Sequence, residues 1–257
     1  MNLLYSCTGL GVGLLVGMTG VGGGSLMTPL LVLLFGFHPA TAVGTDLLFA
    51  SITKSVGAGV HGVAGTVNWR ITGWLAAGSV PAALLTLVIM SQIGAQTPRM
   101  AAIISLVLGV SLVVTAIAVM MRPRIQEYAT RRLGELPARK AAILTVVTGC
   151  ILGVVVSISS VGAGALGLTA LVFLYPRQPI ARLVGSDIAH AVPLTLIAGI
   201  GHWLLHSTDW ALLGSLLAGS VPGIIIGSLV ATRVPDAALR PILAATLLLV
   251  GGRMLLQ

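Results

Sequence analysis

The sequence predicts an all-α, polytopic integral membrane protein. Composition and pattern both lead there. Of 257 residues, 56% are hydrophobic and 8% are charged, and the mean hydropathy is +1.07. A soluble domain carries about 25% charge, so a globule of this composition could not cover itself with water-facing groups. Disorder is excluded by the same apolar excess. Aromatic residues make up 4% against 33 glycines, a balance that suits helices packed closely through small residues. The apolar runs are long and unbroken, whereas a transmembrane barrel would alternate over segments of about ten residues.

Charges and turn residues cut the chain into eight apolar blocks, at about 3–35, 41–61, 71–92, 100–121, 141–175, 183–206, 210–231 and 238–256. Most match the roughly 20 residues that cross a 30 Å hydrocarbon core. The first and fifth are much longer and are interrupted by small residues, which predicts two broken hairpins. The second holds Asp46, Lys54 and His61. The third is preceded by Trp69, an interfacial anchor, and contains Pro81, which should kink it. The sixth holds Asp187 and His202, with His190 and His206 nearby. Trp210 and Pro222 mark the seventh as Trp69 and Pro81 mark the third. Cys7 and Cys150 are isolated in apolar runs and read as small buried side chains, with no metal or disulfide spacing. The N-terminus has no basic region and no small-residue cleavage site, so no cleaved signal peptide is expected.

The blocks repeat. Thr19-Gly20-Val21-Gly22-Gly23-Gly24 aligns with Ser159-Ser160-Val161-Gly162-Ala163-Gly164, Val43-Gly44-Thr45-Asp46 with Val184-Gly185-Ser186-Asp187, His61 with His202, and Gly78-Ser79-Val80-Pro81 with Gly219-Ser220-Val221-Pro222. Colinear Asp, His, Trp and GSVP do not arise by chance between two apolar sequences. The expected organisation is a first transmembrane repeat at 1–121, a basic cytoplasmic linker at 122–140 and a second repeat at 141–257.

The net charge of +8 does not indicate nucleic acid, because the basic residues lie between apolar runs. They read as orientation signals and phospholipid contacts. With four spans per half, eight basic residues fall on the linker side and five opposite. With five spans per half, eleven fall on the linker side and only Arg99 and Arg253 opposite, Lys54 being left out of both counts. The sequence therefore predicts five plus five segments, and an odd number per half makes the repeats inverted.

Short, glycine-interrupted segments at matching places in inverted repeats point to a transport site. A helix restarting after a break offers free N–H groups and a positive dipole end, so Thr19, Gly22, Gly23, Gly24, Ser25, Ser159, Ser160, Gly162 and Gly164 are candidate anion-binding residues. The alternative is close helix packing with no ligand. Lys54 is a candidate counter-charge for the anion or partner of Asp46, unless it snorkels to the interface. Asp46 and Asp187 are candidates for proton or ion coupling, or else helix caps in which Thr45, Ser186 or the Asp satisfies amides. His61 and His202 could relay protons, or sit structurally at block ends. No metal site, cofactor or catalytic constellation is visible.

Two Gly-rich breaks, each followed by Gly-Thr/Ser-Asp, resemble the TauE/SafE family of membrane transporters over 9–46 and 149–187, with repeat similarity through 81 and 222. The resemblance implies a multi-pass permease of the bacterial cytoplasmic membrane that moves sulfite, sulfoacetate or a related organosulfonate, mostly outward. Ser159, Ser160 and Ala163 replace Thr19, Gly20 and Gly23, so the two half-sites need not contribute equally. The expected partners are a small anionic substrate and membrane lipid; a homodimer is compatible with the pattern. An anion channel and a non-transporting membrane sensor or scaffold are the alternative functions.

Overall fold

A computed structural model describes residues 3–19, 24–132, 134, 136–231 and 236–256. Every element among the described residues is a helix: α1 (Leu3–Thr19), α2 (Gly24–Leu33), α3 (Pro39–Val63), α4 (Trp69–Ile93), α5 (Pro98–Arg132), α6 (Ala138–Ser159), α7 (Ala165–Leu174), α8 (Ile180–Leu204), α9 (Trp210–Ala231) and α10 (Asp236–Leu255). Among them α4, α5, α6, α8 and α9 are long and apolar enough to cross a membrane. The chain is an all-α polytopic membrane protein, as expected. Large apolar side chains on its outside, such as Ile89, Ile151 and Ile225, are more than half exposed, as they are on a surface that meets lipid.

The helix boundaries follow from local chemistry. Pro39 and Pro98 open α3 and α5 at the position where a missing N–H costs nothing. Asn68 caps α4 by accepting from the Arg70 and Ile71 amides, and Asp209 does the same for Leu212 in α9 at 2.9 Å. The second long apolar block breaks as expected, but unequally, into 22 residues and then 10; the break expected in the first, at 20–23, lies outside the described residues, between a described α1 of 17 residues and α2 of 10. A ten-residue helix rises about 15 Å, half of the hydrocarbon core, so α2 and α7 are half-length elements. Both α4 and α9 run through their internal prolines, Pro81 and Pro222.

Residues 122 to 132, the first part of the basic linker, are helical and continue α5, which is 35 residues long and rises roughly 50 Å. Arg, Gln, Glu and Ala favour helix, and Glu127 and Arg131 pair one turn apart at 3.0 Å. One expectation is corrected: Cys7 and Cys150 are exposed rather than buried. Each lies on the outer face of a helix whose inner face is lined by glycines.

Helix bounds recur at an offset of 141: α2 with α7, α3 with α8, and the starts of α4 and α9. Packing is reciprocal as well. The most extensive contacts pair α1 with α9, α4 with α6, α3 with α8 and α5 with α10. Glycine explains the first two. A Cβ on Gly149 would lie 2.2 Å from the Leu75 carbonyl oxygen, and one on Gly9 would lie 2.4 Å from that of Leu216. Gly153 meets Ser79 in the same way, and Gly13 meets Ser220. These helices touch backbone to backbone and run parallel. In contrast, Gly57 lies against Ile188 and Gly199 against Leu48, so α3 and α8 run antiparallel.

Candidate functional site

The repeated Gly-Thr/Ser-Asp motif has three separate jobs in this fold. Gly44 lets α3 approach the Ser207 carbonyl, and Gly185 lets α8 approach that of Thr66; a Cβ would lie 2.0 and 2.5 Å from those oxygens. Thr45 Oγ1 then accepts from the Asp209 amide at 3.0 Å, and Ser186 Oγ from the Asn68 amide at 2.8 Å. Each hydroxyl thus satisfies an amide at the start of a helix in the opposite half. The aspartates are left to do something else. Asp46 and Asp187 lie in the third turns of α3 and α8, essentially without solvent access, and among the described residues neither caps a helix.

Asp46 Oδ2 accepts from Thr28 Oγ1 of the half-length α2. Its Oδ1 has no hydrogen bond among the described residues. Asp187 Oδ1 is likewise without a partner and lies against Gly167 of α7, where an added Cβ would come within 2.1 Å. So each half-length helix packs on the carboxylate of the helix that follows it. Lys54 Nζ donates to the carbonyl oxygen of Ala163, inside the break between α6 and α7. Its charge acts on both Asp46 and Asp187, although neither carboxylate pairs with it directly. It does not snorkel outward: it crosses from the first half to the break of the second.

That break is built by an unusual backbone. Ser160 ends α6 in the left-handed region at φ 59°, and Gly162 and Gly164 follow at φ 117° and 142°. A side chain at either glycine would be strained. Ser159 braces the turn, donating to the Val155 carbonyl at 2.8 Å and accepting from the Val161 amide at 3.3 Å. Ser160 points differently: its buried hydroxyl lies beside the Asp46 carboxylate and makes no geometrically well-formed hydrogen bond among the described residues.

His190 completes the cluster. It lies on α8 one turn after Asp187, is fully buried, and feels the charge of Lys54. Its Nε2 shares a 2.8 Å hydrogen bond with Ser79 Oγ of α4, while Nδ1 has no partner among the described residues. The repeat offset places Phe49 opposite His190 and Thr195 opposite Lys54, so the ionisable lining is asymmetric although the backbone pattern is not.

The structure therefore brings Lys54, Asp46, Asp187, Ser160 and the turn at Gly162 and Gly164 together, and adds Thr28, Ser79, Ala163, Gly167 and His190. His61 and His202 make their polar contacts elsewhere. His61 bonds Thr66 at 2.8 Å, and His202 bonds the Ser157 carbonyl at 2.9 Å. Gly22 and Gly23 lie outside the described residues. Thr19 ends α1, and Gly24 and Ser25 begin α2, but their side chains also lie outside the description. Among the described residues no group of histidine, cysteine and acidic side chains could hold a metal ion. His190 and Asp187 were legible as neighbours three positions apart on one helix face; Ser79 stood out as part of the repeated GSVP but not as a partner of His190, and Thr28 carried no signal, since single hydroxyls are common in apolar helices.

The chain is similar to proteins of a bacterium. The chain is 38% identical over 256 residues, 99% of its own length and 100% of the relative's, to "Probable membrane transporter protein YjnA" of Bacillus subtilis (strain 168). It is 27% identical over 217 residues to "Probable membrane transporter protein YdhB" of the same organism, covering 82% of this chain and 83% of that one. A shorter stretch of 58 residues is 45% identical to "Probable membrane transporter protein YunE", 23% of this chain and 21% of that one. No solved structure matches. The family match runs over residues 5–254, which contain both breaks, both aspartates and Lys54, and on that match the chain belongs to the sulfite exporter TauE/SafE family of membrane transporters.

Proposed function

We propose that the protein is a secondary transporter that exports a small sulfur-containing oxyanion, such as sulfite or an organosulfonate, across the bacterial cytoplasmic membrane by alternating access. The observation that carries this reading is Lys54. A charged amine in the bilayer interior is costly and marks an ion path. Its hydrogen bond goes to one backbone carbonyl, and an ammonium has three donors. Among the described residues, two N–H groups remain for an oxyanion. The Ser160 hydroxyl and the first amides of α7 supply further donors beside it.

The neighbouring carboxylates set the coupling. With Asp46, Lys54 and Asp187 all ionised, the site carries one net negative charge, and an arriving anion is repelled. A proton taken up by Asp46 or Asp187 with the substrate relieves that repulsion. For a divalent oxyanion the moving unit then still carries one negative charge, which an inside-negative potential drives outward. The recurring bounds, the antiparallel α3 and α8 and the odd number of helices per half support an inverted five-plus-five arrangement, with the linker on the cytoplasmic side. The bodies that move are not the two halves of the sequence. The glycine-sealed pairs, α1 with α9 and α4 with α6, cross between halves and move as units against the α3–α8 centre.

Flux into proteoliposomes of the purified protein tests this reading. Sulfite, sulfoacetate, thiosulfate, taurine, phosphate and simple carboxylates are offered at imposed potentials. Saturable, counter-flow-competent transport of the divalent sulfur oxyanions is expected. Unsaturable current, or no flux with any sulfur oxyanion, overturns it.

A further inference from the structure

We propose that the groove between α4 and α6, at their N-terminal ends, is a binding site for an anionic phospholipid. The two helices run parallel and are sealed by Gly78, Gly149 and Gly153 against each other's backbone. Their N-termini therefore open side by side at one face of the molecule. Two helix dipoles present their positive ends there. Arg70 stands in the first turn of α4 and Arg139 in the first turn of α6, both exposed. Among the described residues neither forms an ion pair. Below them a groove of about 490 Å³ runs down the helix pair, lined by Trp74, Ala142, Ile143 and Val147. Ile143 and Val147 are about half exposed and face outward, so the groove wall is apolar and open to the bilayer. A smaller, more polar cavity continues from Arg70 and Trp74 toward Asn68 and Gln178.

Charge above, an indole at the level of the interface and an apolar channel below are the three layers of one phospholipid: phosphate, glycerol and acyl chain. The chemistry selects a lipid over a free anion because most of the groove offers nothing to a hydrophilic solute. It selects an anionic headgroup because two arginines and two dipole ends meet at the top. The fold alone does not demand this. At the repeat-related position between α1 and α9, the offset of 141 puts Ala211 in place of Arg70 and Ser215 in place of Trp74. Among the described residues the basic groove lies on the face that carries the linker, whose leaflet is the one rich in anionic lipid if that linker is cytoplasmic.

The test is lipid-dependent thermal stability of the full chain in neutral detergent, with phosphatidylglycerol or phosphatidylcholine added. Phosphatidylglycerol is expected to raise the unfolding temperature of the wild type above the phosphatidylcholine value. Arg70→Gln with Arg139→Gln is expected to remove that increment and weaken phosphatidylglycerol binding roughly thirtyfold, from two lost basic contacts. The control Arg99→Gln keeps the increment. If the double variant does not fold, Arg139→Gln alone is read by native mass spectrometry and is expected to retain fewer bound phosphatidylglycerol molecules. An unchanged increment in the double variant, unchanged lipid retention in Arg139→Gln, or an equal increment from inorganic phosphate overturns the proposal.

Discussion

A lysine amine placed among apolar helices keeps its charge only where acceptors and counter-charges hold it. Lys54 has the Ala163 carbonyl and the fields of Asp46 and Asp187. Lys54→Met removes the cation and leaves the carboxylates. Substrate affinity in proteoliposome flux should fall at least tenfold, about 1.4 kcal/mol, while the variant remains folded. Unchanged affinity and turnover would end the counter-charge role. Asp187→Asn keeps the shape and removes the titrating group; flux should persist with weaker dependence on an imposed pH gradient. Thr45→Val tests a structural role instead. It strips the acceptor from the Asp209 amide and should cost about 1–3 kcal/mol of stability, read as a lower unfolding temperature. The sequence singled out Lys54 and the aspartates because an ionisable group in an apolar run is conspicuous. It did not reveal that Lys54 reaches the second break, because that contact joins residues more than a hundred positions apart.

Glycine does different work in different helices, and substitution separates the cases. Gly149→Ala puts a Cβ 2.2 Å from a backbone oxygen of α4. One of two parallel helices must shift, and the cost should be about 1–3 kcal/mol or more. Gly73, in the same helix α4, has open space where its Cβ would stand. Gly73→Ala should be neutral or stabilising by up to about 1 kcal/mol. Thermal unfolding of the two variants side by side checks both, and equal effects would show that close backbone approach is not what these glycines provide. Helix positions were largely legible, because charges, prolines and glycines bound the apolar runs and run length alone distinguishes a span from a loop. The reach of α5 into the basic linker was not, since charged residues that end an apolar run do not end a helix. The unequal split of the second long block escaped for a related reason: composition marks a break but does not weigh the two sides of it.

At the level of the complete chain, internal repetition was visible as colinear Asp, His, Trp and GSVP, while the crossed partnership of helices was not, because nothing in a pattern of small residues names the helix it faces. Cysteine labelling at positions 130 and 178, in a background lacking Cys7 and Cys150, should report the same membrane side for both; opposite sides would break the five-plus-five arrangement. The crossed partnership also shapes how the protein is made. Helix α1 is sealed against α9 through Gly9, Gly13, Gly219 and Gly223, yet nearly the whole chain must be synthesised before α9 exists. At about 5–20 residues per second, α1 waits on the order of ten to forty seconds with its bare backbone stripe facing lipid or the insertion machinery. Assembly therefore cannot proceed helix by helix from the N-terminus. A nascent chain released before α9 carries an unclosed seam, and quality control can recognise it as unfinished.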